Sequence, residues 1–204
     1  MEPDRLIDAI RSRASALVQR VAAPAERADL DHAEERLRFS LPWFYKRVLL
    51  EIGNGGLGPG PLYGVPPRGH FDDDLRRTGV ENILDLYFDD RARAQHRGPR
   101  DLLCLSNWGA GKWSYLDCAT ADGAIVTCEW LVAGPGRPEG LYYWQTSPRL
   151  ADWLHEWTQS DDPRADLSVE IIGRQVRKNP FTGLPREYPV TRPRGPMVDL
   201  SARI

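Results

Sequence analysis

Two clusters of carboxylates are the residues whose type and spacing come nearest to a metal site. Asp72, Asp73 and Asp74 are consecutive, and Asp89 and Asp90 form a second pair. Such oxygen ligands hold divalent cations, but these clusters lack the alternating spacing of a calcium loop. Arginines stand beside both, at positions 76, 77, 91 and 93. The pattern favours a solvated, charge-balanced surface, which could present negative charge to a basic partner.

Histidines and cysteines give no nucleophile or zinc motif. None of the four histidines lies near a serine or cysteine in such a motif, and His70 is the most interesting because it precedes the aspartates. There is no Cys-x-x-Cys pair, which argues against a zinc or disulfide framework. Buried free thiols are predicted at Cys104, Cys118 and Cys128. We predict no metal, no cofactor and no catalytic residue.

A glycine-rich stretch, here called the glycine loop (residues 54–64), follows an apolar segment. It lacks the Gly-Lys-Ser/Thr ending of a phosphate loop and follows a predicted helix instead of a strand. We therefore predict turn geometry and a close approach by another part of the backbone. As a surface for a partner, the loop offers these candidates: Asn54, Gly55, Gly56, Leu57, Leu62 and Tyr63.

Aromatic residues are concentrated in the second half of the chain, and most are predicted to be core or cross-strand residues. Trp108 is the candidate exception, because Asn107-Trp108-Gly109 reads as a turn, and an exposed tryptophan there would suit an interface. The alternative is that Trp108 caps the end of the core. Asp117 lies among apolar neighbours in a predicted strand and is expected to accept hydrogen bonds from a nearby turn.

Helical periodicity dominates the first half of the chain. Apolar spacing predicts helices over residues 4–22, 25–38 and 42–52, with a short helix near residues 80–88. Ser40 is the expected N-cap of the third helix, and Gly53 its expected left-handed C′ residue.

After about residue 100, the spacing of apolar residues changes from the helical pattern to the alternation that is typical of short strands. Strands are predicted at residues 102–106, 112–118, 124–130 and 141–144, with glycine-rich turns that imply an antiparallel meander. Ser147-Pro148 is read as the start of a closing helix. The fold class is therefore α+β: N-terminal helices pack on an antiparallel β-meander, a C-terminal helix closes it, and a Pro-rich arm follows.

The predicted organisation has three parts: an N-terminal helix (residues 1–24), a central domain (25–160) and a basic, Pro-rich C-terminal extension (161–204). Residues 169–176 could be a strand or a helix, but the density of proline after Lys178 excludes a long helix or a central strand. The extension is either an arm laid over the domain or a mobile segment, and the anchored arm is favoured. Its basic residues are spread among prolines, which argues against nucleic acid.

The composition limits the classes of protein to which the chain can belong. The chain has 204 residues, of which 41% are hydrophobic and 27% charged, with a net charge of −2. These values are ordinary for a globular protein, and the small net charge gives no general attraction to nucleic acid or membranes. No run reaches the roughly 20 apolar residues of a membrane helix, and the charged N-terminus does not read as a secretory signal. A cytoplasmic location is expected.

Three blocks of sequence resemble the SUKH superfamily, which includes the fungal Smi–Knr cell-wall regulators, and most resemble its bacterial branch. The resemblance covers residues 25–159. Its motifs are Glu34-x-x-Leu37, Leu41-Pro42, Asn54-Gly55-Gly56, Leu57-Gly58-Pro59-Gly60, Asn107-Trp108-Gly109, Trp113-Ser114-Tyr115-Leu116-Asp117-Cys118, Val126, and residues 147–157.

The resemblance implies a non-catalytic protein-binding module, since bacterial members commonly act as immunity proteins that bind and neutralise a cognate polymorphic toxin. The expected binding surface combines the glycine loop with His70, the segment Asp72-Asp73-Asp74, and Trp108. Two alternatives stay open. One is a regulatory or scaffold protein that docks through its Pro-rich extension. The other is an enzyme or small-ligand receptor with His70, Asp74, Trp108 and Asp117 in one pocket.

Overall fold

The computed structural model describes residues 1–71, 73–77, 79–92, 100–109, 111–131, 140–162, 167, 169–178, 185–198 and 200. Helices and strands alternate in blocks along this part of the chain. The helices are Pro3–Ala16 (α1), Arg27–Leu37 (α2), Trp43–Glu51 (α3), Asp73–Arg76 (α4), Ile83–Ala92 (α5) and Leu150–Gln159 (α6). The strands are Leu102–Gly109 (β1), Lys112–Asp117 (β2), Ala124–Leu131 (β3), Gly140–Ser147 (β4), Val169–Lys178 (β5) and Pro185–Pro193 (β6).

The predicted antiparallel meander is confirmed, with the four strands in the order β1-β2-β3-β4. Leu102 lies opposite Asp117, and Asp117 lies opposite Ala124, so the three strands share one register at this end. The strands are longer than predicted. Asn107 pairs with Trp113 and Gly109 with Lys112. The prediction that residues 107–109 form a turn is therefore wrong, because cross-strand pairing continues to Gly109.

Helices cover one face of the meander, and the core lies between them. Leu30, Ala33 and Leu37 of α2 are buried as predicted, and α6 buries Leu150, Trp153, Leu154 and Trp157. Leu103, Leu116 and Ile125 belong to the same core from the sheet side. These observations confirm the α+β class and the closing helix.

Helix α1 ends at Ala16, so the prediction of a helix through residue 22 is wrong. Val18 adopts a left-handed conformation with φ of 52°, which a β-branched residue rarely does. The chain then runs along the glycine loop. The Gln19 side chain donates to the carbonyl of Gly58 (2.7 Å) and accepts from its N–H (3.1 Å), and the N–H of Ala22 donates to the carbonyl of Gly55 (3.1 Å). Tertiary contacts override the helical period here.

The predicted caps of α3 are also wrong. Pro42 is the N-cap residue, and no side chain caps the helix. The Glu34 carboxylate instead accepts a hydrogen bond from the N–H of Leu41 (2.6 Å) just before the helix. Gly53 does not adopt the left-handed conformation. It is glycine for lack of space, because a Cβ there would lie 2.2 Å from Cγ1 of Val21.

The C-terminal extension contains an antiparallel pair, β5 and β6, which forms a separate two-stranded sheet. The alternative of a strand within residues 169–176 is thereby confirmed, whereas the pairing with β6 was not predicted. The chain then returns to the open edge of β4 as a short stretch, here called the edge segment (residues 194–198). Within it, the N–H of Gln145 donates to the carbonyl of Pro196 (3.1 Å), and the N–H of Val198 donates to the carbonyl of Tyr143 (2.9 Å).

An apolar contact completes this anchor. Leu200 is buried against Leu102 and Val126 of the sheet, with Val198 packed beside it. The anchored arm is thus the observed arrangement for these residues. The boundaries at residues 24/25 and 160/161 stay predictions, although Leu6, Ile7 and Ile10 of α1 lie in the same core as the central domain.

Candidate functional site

Asn54 organises the glycine loop from its buried centre. Its side-chain amide donates to the carbonyl of Val65 (2.8 Å), and its side-chain oxygen accepts from the N–H of the same residue (2.8 Å). Its backbone carbonyl accepts from the N–H of His70 (2.7 Å). The Asn54 side chain therefore supplies hydrogen bonds that a neighbouring strand would otherwise make, and it links the two ends of the loop.

The glycines allow the close approach that the sequence predicted. Gly55, Gly56 and Gly58 have φ of 87°, 86° and 108°, in the left-handed region. A Cβ on Gly56 would lie 2.1 Å from the carbonyl oxygen of Arg20. The glycines therefore let the stretch after α1 lie directly on the loop.

The side chains of the loop face inward. Leu57 and Leu62 are 0% exposed and Tyr63 is 2% exposed. The Tyr45 hydroxyl donates to the carbonyl of Tyr63 (2.6 Å), and burial raises the pKa of Tyr45 far above its ordinary value, which keeps it a neutral donor.

This burial bears on the expectation that the glycine loop is a contact surface, which stays a prediction. In this conformation its residues hold the fold together, and the following side chains cannot reach a partner: Asn54, Leu57, Leu62 and Tyr63. Gly55 and Gly56 are buried as well. Within the loop, Pro61 is the residue that is exposed.

The neighbouring candidates are more accessible. His70 is half-buried, and its carbonyl accepts from the N–H of Gly64 (2.8 Å). Asp73 is exposed at the first position of α4. Asp72 lies outside the described residues, as does the side chain of Asp74. Their role in partner binding stays a prediction.

Trp108 is half-buried within β1 and packs against the core. Its indole N–H donates to the hydroxyl of Ser114 (2.8 Å), and its ring lies 3.3 Å from where a Cβ on Gly60 would be. These contacts fit the alternative that Trp108 caps the end of the core. Its use as an interface residue stays a prediction.

Asp117 has the structural role expected of it. The carboxylate is buried and accepts from the N–H of Ala119 (3.0 Å), while the Thr120 hydroxyl donates to the Asp117 carbonyl (2.9 Å). Asp117 lies three residues beyond Ser114 on β2, which is about 10 Å at the usual strand rise. It is therefore remote from Trp108, and the two do not form one catalytic pocket. Within the described residues, no group of three His, Cys, Asp or Glu side chains is placed to hold a metal.

The structure also contains a pocket, away from these candidate residues, that the sequence did not predict. It lies where α1, α3 and α6 begin, beside the turn between β2 and β3, and has a volume of about 150 Å³. We call it the Trp43 pocket, and its lining includes Leu6, Trp43, Phe44, Asp122, Arg149 and His155. The signal in the sequence was Trp43 itself, a large aromatic residue that falls outside the apolar face of α3.

The fold and the buried loop together define a class of protein: an α+β domain in which helices cover one face of a four-stranded antiparallel meander. The sequence profile of the SMI1 / KNR4 family (SUKH-1) matches residues 24–156, and the chain belongs to this family. No curated protein matches the sequence.

The family match runs from the segment before α2 into α6 and so includes the glycine loop and the meander. Helix α1, strands β5 and β6, and the edge segment lie outside it. Among the described helices, none has the length and apolar character to cross a bilayer.

Proposed function

We propose that this protein is a non-catalytic immunity protein that binds and neutralises a cognate bacterial toxin in the cytoplasm. Membership of the SMI1 / KNR4 family carries the proposal. The geometry supports it in two ways. The glycine loop is buried as a structural element, and Trp108 and Asp117 occupy separate places, so neither feature suggests an active site.

Neutralisation would proceed by steric or electrostatic blocking of the toxin. A stable complex of standard size buries about 800 Å² on each partner, and the exposed face around His70 and Asp73 can contribute to such an area. Exposed carboxylates such as Asp73 would favour a basic partner surface and increase the rate of association more than the affinity.

A capture experiment followed by a growth assay tests the proposal. The tagged full chain is used to isolate its partner from the source cells, and the partner is then produced in a sensitive host with and without the chain. We expect one stoichiometric partner that carries a toxin domain, and growth restored by the chain. A stoichiometric partner that is harmless to the host would contradict the proposal.

Point variants in the full chain locate the surface. His70→Ala with Asp73→Asn should weaken rescue if this face is used, whereas Asp161→Asn on another exposed site serves as the matched control. Full rescue by the double variant would move the interface elsewhere. Truncation at residue 159 is a poor substitute, because it would uncover Leu102 and Val126 of the sheet.

The same assay separates immunity from docking through the Pro-rich extension. Met197 is 63% exposed on the edge segment, so Met197→Ala leaves the core contacts in place. Loss of partner capture by this variant, with the face around His70 unaffected, would favour the regulatory alternative.

A further inference from the structure

The Trp43 pocket has an apolar floor and an aromatic wall. Leu6 and Phe44 are buried beneath it, and Trp43 is 42% exposed beside them. The Trp43 ring stands edge-on to Phe44 with centroids 5.4 Å apart, and its indole N–H donates to Oδ1 of Asp122 (3.2 Å). Two contacts therefore hold the exposed ring in a fixed orientation.

The opposite wall is polar and carries more negative than positive side chains. Asp122 is exposed, and its second carboxylate oxygen has no partner among the described residues. Arg149 forms two hydrogen bonds with Asp152, each of 2.7 Å, so these two charges satisfy each other. The Nδ1 atom of His155, which also lines the pocket, is buried without a hydrogen-bond partner in the described part of the chain.

The N-termini of α1 and α6 are positive features near the pocket, and acidic residues already match both of them. Helix N-termini attract anions, but Asp4 and Asp152 lie in the first turns of α1 and α6. The N–H of Leu150, at the start of α6, points to the carbonyl of Asp122 (3.4 Å). The amino group of Met1 has no carboxylate within 4 Å in the described part of the chain. Arg149 also feels the charge of Asp122. Of the two carboxylates that line the pocket, Asp122 is the one with an oxygen that has no hydrogen-bond partner among the described residues.

Size restricts the occupant. Pockets for drug-sized ligands and cofactors are about 300–1,000 Å³, whereas this pocket is about 150 Å³. It has room for one long side chain and not for a nucleotide. A lysine or arginine suits both walls, because its stem is apolar and its head is a cationic donor. A cation beside a tryptophan ring gains further attraction from the ring.

We propose that the Trp43 pocket binds one lysine or arginine side chain of a protein partner, with its stem on Leu6 and Phe44 and its cation between Trp43 and Asp122. This inference rests on the proposed protein-binding function. Leu6 lies outside the family match, so the pocket joins the family domain to this chain's own N-terminal helix. The proposed anchor therefore includes a residue outside the region that the family profile covers.

Selection from a displayed library of short linear peptides on the full chain tests the pocket without a known partner. We expect the enriched peptides to share a basic residue. Its replacement by the neutral isostere, citrulline for arginine or norleucine for lysine, should weaken binding about tenfold, equivalent to about 1.4 kcal/mol. Binding should also shift the NMR signal of the Trp43 indole N–H, which is assigned by its absence in Trp43→Phe.

Asp122→Asn is the decisive variant, because asparagine keeps an oxygen acceptor for the Trp43 indole, removes the negative charge and puts an NH2 donor in place of the second oxygen. It should bind the basic peptide about tenfold more weakly, and the isostere should then cost much less than in the unmodified chain, because only the attraction to the Trp43 ring remains to be lost. Glu35→Gln, which removes an equivalent exposed charge on α2, is the control and should bind as the unmodified chain does. An unchanged thermal midpoint in both variants confirms that the fold is intact.

Three results would overturn the proposal: no enriched peptide, peptides anchored by an apolar or acidic residue, or equal affinity for Asp122→Asn. These results are distinct from failure of the proposed function. If Asp122→Asn still captures the toxin and restores growth, immunity stands and the pocket is not its anchor. If the full chain captures no toxin while basic peptides bind, the pocket stands without immunity.

Discussion

Asn54 shows how much of this fold depends on one polar side chain. Its buried side-chain amide hydrogen-bonds to both the N–H and the carbonyl of Val65. These two backbone groups would otherwise need partners from a neighbouring strand. Removing the amide leaves two buried groups unsatisfied, and each such group costs about 1–3 kcal/mol.

Asn54→Ala should therefore lower the free energy of unfolding by about 2–6 kcal/mol, measured by urea denaturation. Asn107→Ala is the matched control, because its side chain accepts a hydrogen bond from the N–H of Gly109 (2.8 Å) at an exposed site instead of a buried one. That control should cost less than about 1 kcal/mol. Equal losses would contradict the role given to Asn54.

Tyr45 gives a pH prediction. Burial raises its pKa in the folded state, while the unfolded chain ionises near pH 10. Above that pH the unfolded state releases a proton and the folded state does not, so stability present below pH 10 is lost as the pH rises. The loss approaches about 1.4 kcal/mol per pH unit.

Tyr45→Phe removes this titration, at the cost of the hydrogen bond to Tyr63. The variant should be less stable than the unmodified chain at pH 8, with the difference narrowing above pH 10. Denaturant titrations across pH 8–11 measure this. A constant difference over that range would be inconsistent with a buried, neutral Tyr45.

Val18 adopts a backbone conformation that its side chain does not favour. Its φ is 52° and it is 86% exposed, so it loses conformational energy without gaining burial. Asparagine tolerates this region far better. Val18→Asn should stabilise the protein by about 1 kcal/mol, seen as a higher thermal midpoint, whereas the still β-branched Val18→Thr should show no such gain.

At the scale of elements, the meander and α6 could be predicted from the sequence. The patterns that define them, which are the alternation of apolar residues in strands, the glycine turns and the apolar face of the helix, each lie within a short stretch of chain. The end of α1 could not be predicted in this way, since Gln19 and Ala22 leave the helix to bond with Gly58 and Gly55. The glycine loop illustrates the same limit for the site. Its close approach followed from composition, but its burial depends on Arg20 and Leu105, which are distant in sequence.

Gly195 lets the edge segment lie against β4, because no larger residue would fit at this position. Gly195 has φ of 75°, and a Cβ there would lie 2.0 Å from the carbonyl oxygen of Gln145. Gly195→Ala should therefore separate the segment from β4. We expect faster hydrogen exchange at the N–H groups of Gln145 and Val198, with little change at β1 and β2.

Ala151→Gly tests the specificity of that effect, because it weakens α6 at a half-buried position and alters no residue of β4. It should lower the free energy of unfolding by about 1 kcal/mol. Hydrogen exchange at the N–H of Val198 should then become no faster, relative to the other amides, than it is in the unmodified chain. Unchanged exchange at Gln145 in Gly195→Ala would show that the edge segment does not depend on the close approach.

At the scale of the whole molecule, the N-terminal helix belongs to the common core. Ile10 is 0% exposed within the cluster that also contains Leu30 and Trp153. Ile10→Ala should lower the free energy of unfolding by about 2–5 kcal/mol in a single cooperative transition followed by circular dichroism. A separate early transition would instead support residues 1–24 as an independent part.

The contact between α1 and α6 also has a consequence for folding. Arg13 donates to the carbonyl of Ser160, which is 147 positions further along the chain. The meander needs only short loops to form, whereas this contact closes a very long one, and long-range closure is slow. We therefore expect α1 to dock late on the folding pathway. The Trp43 pocket would then be assembled last, so a partner that binds there would select completely folded molecules.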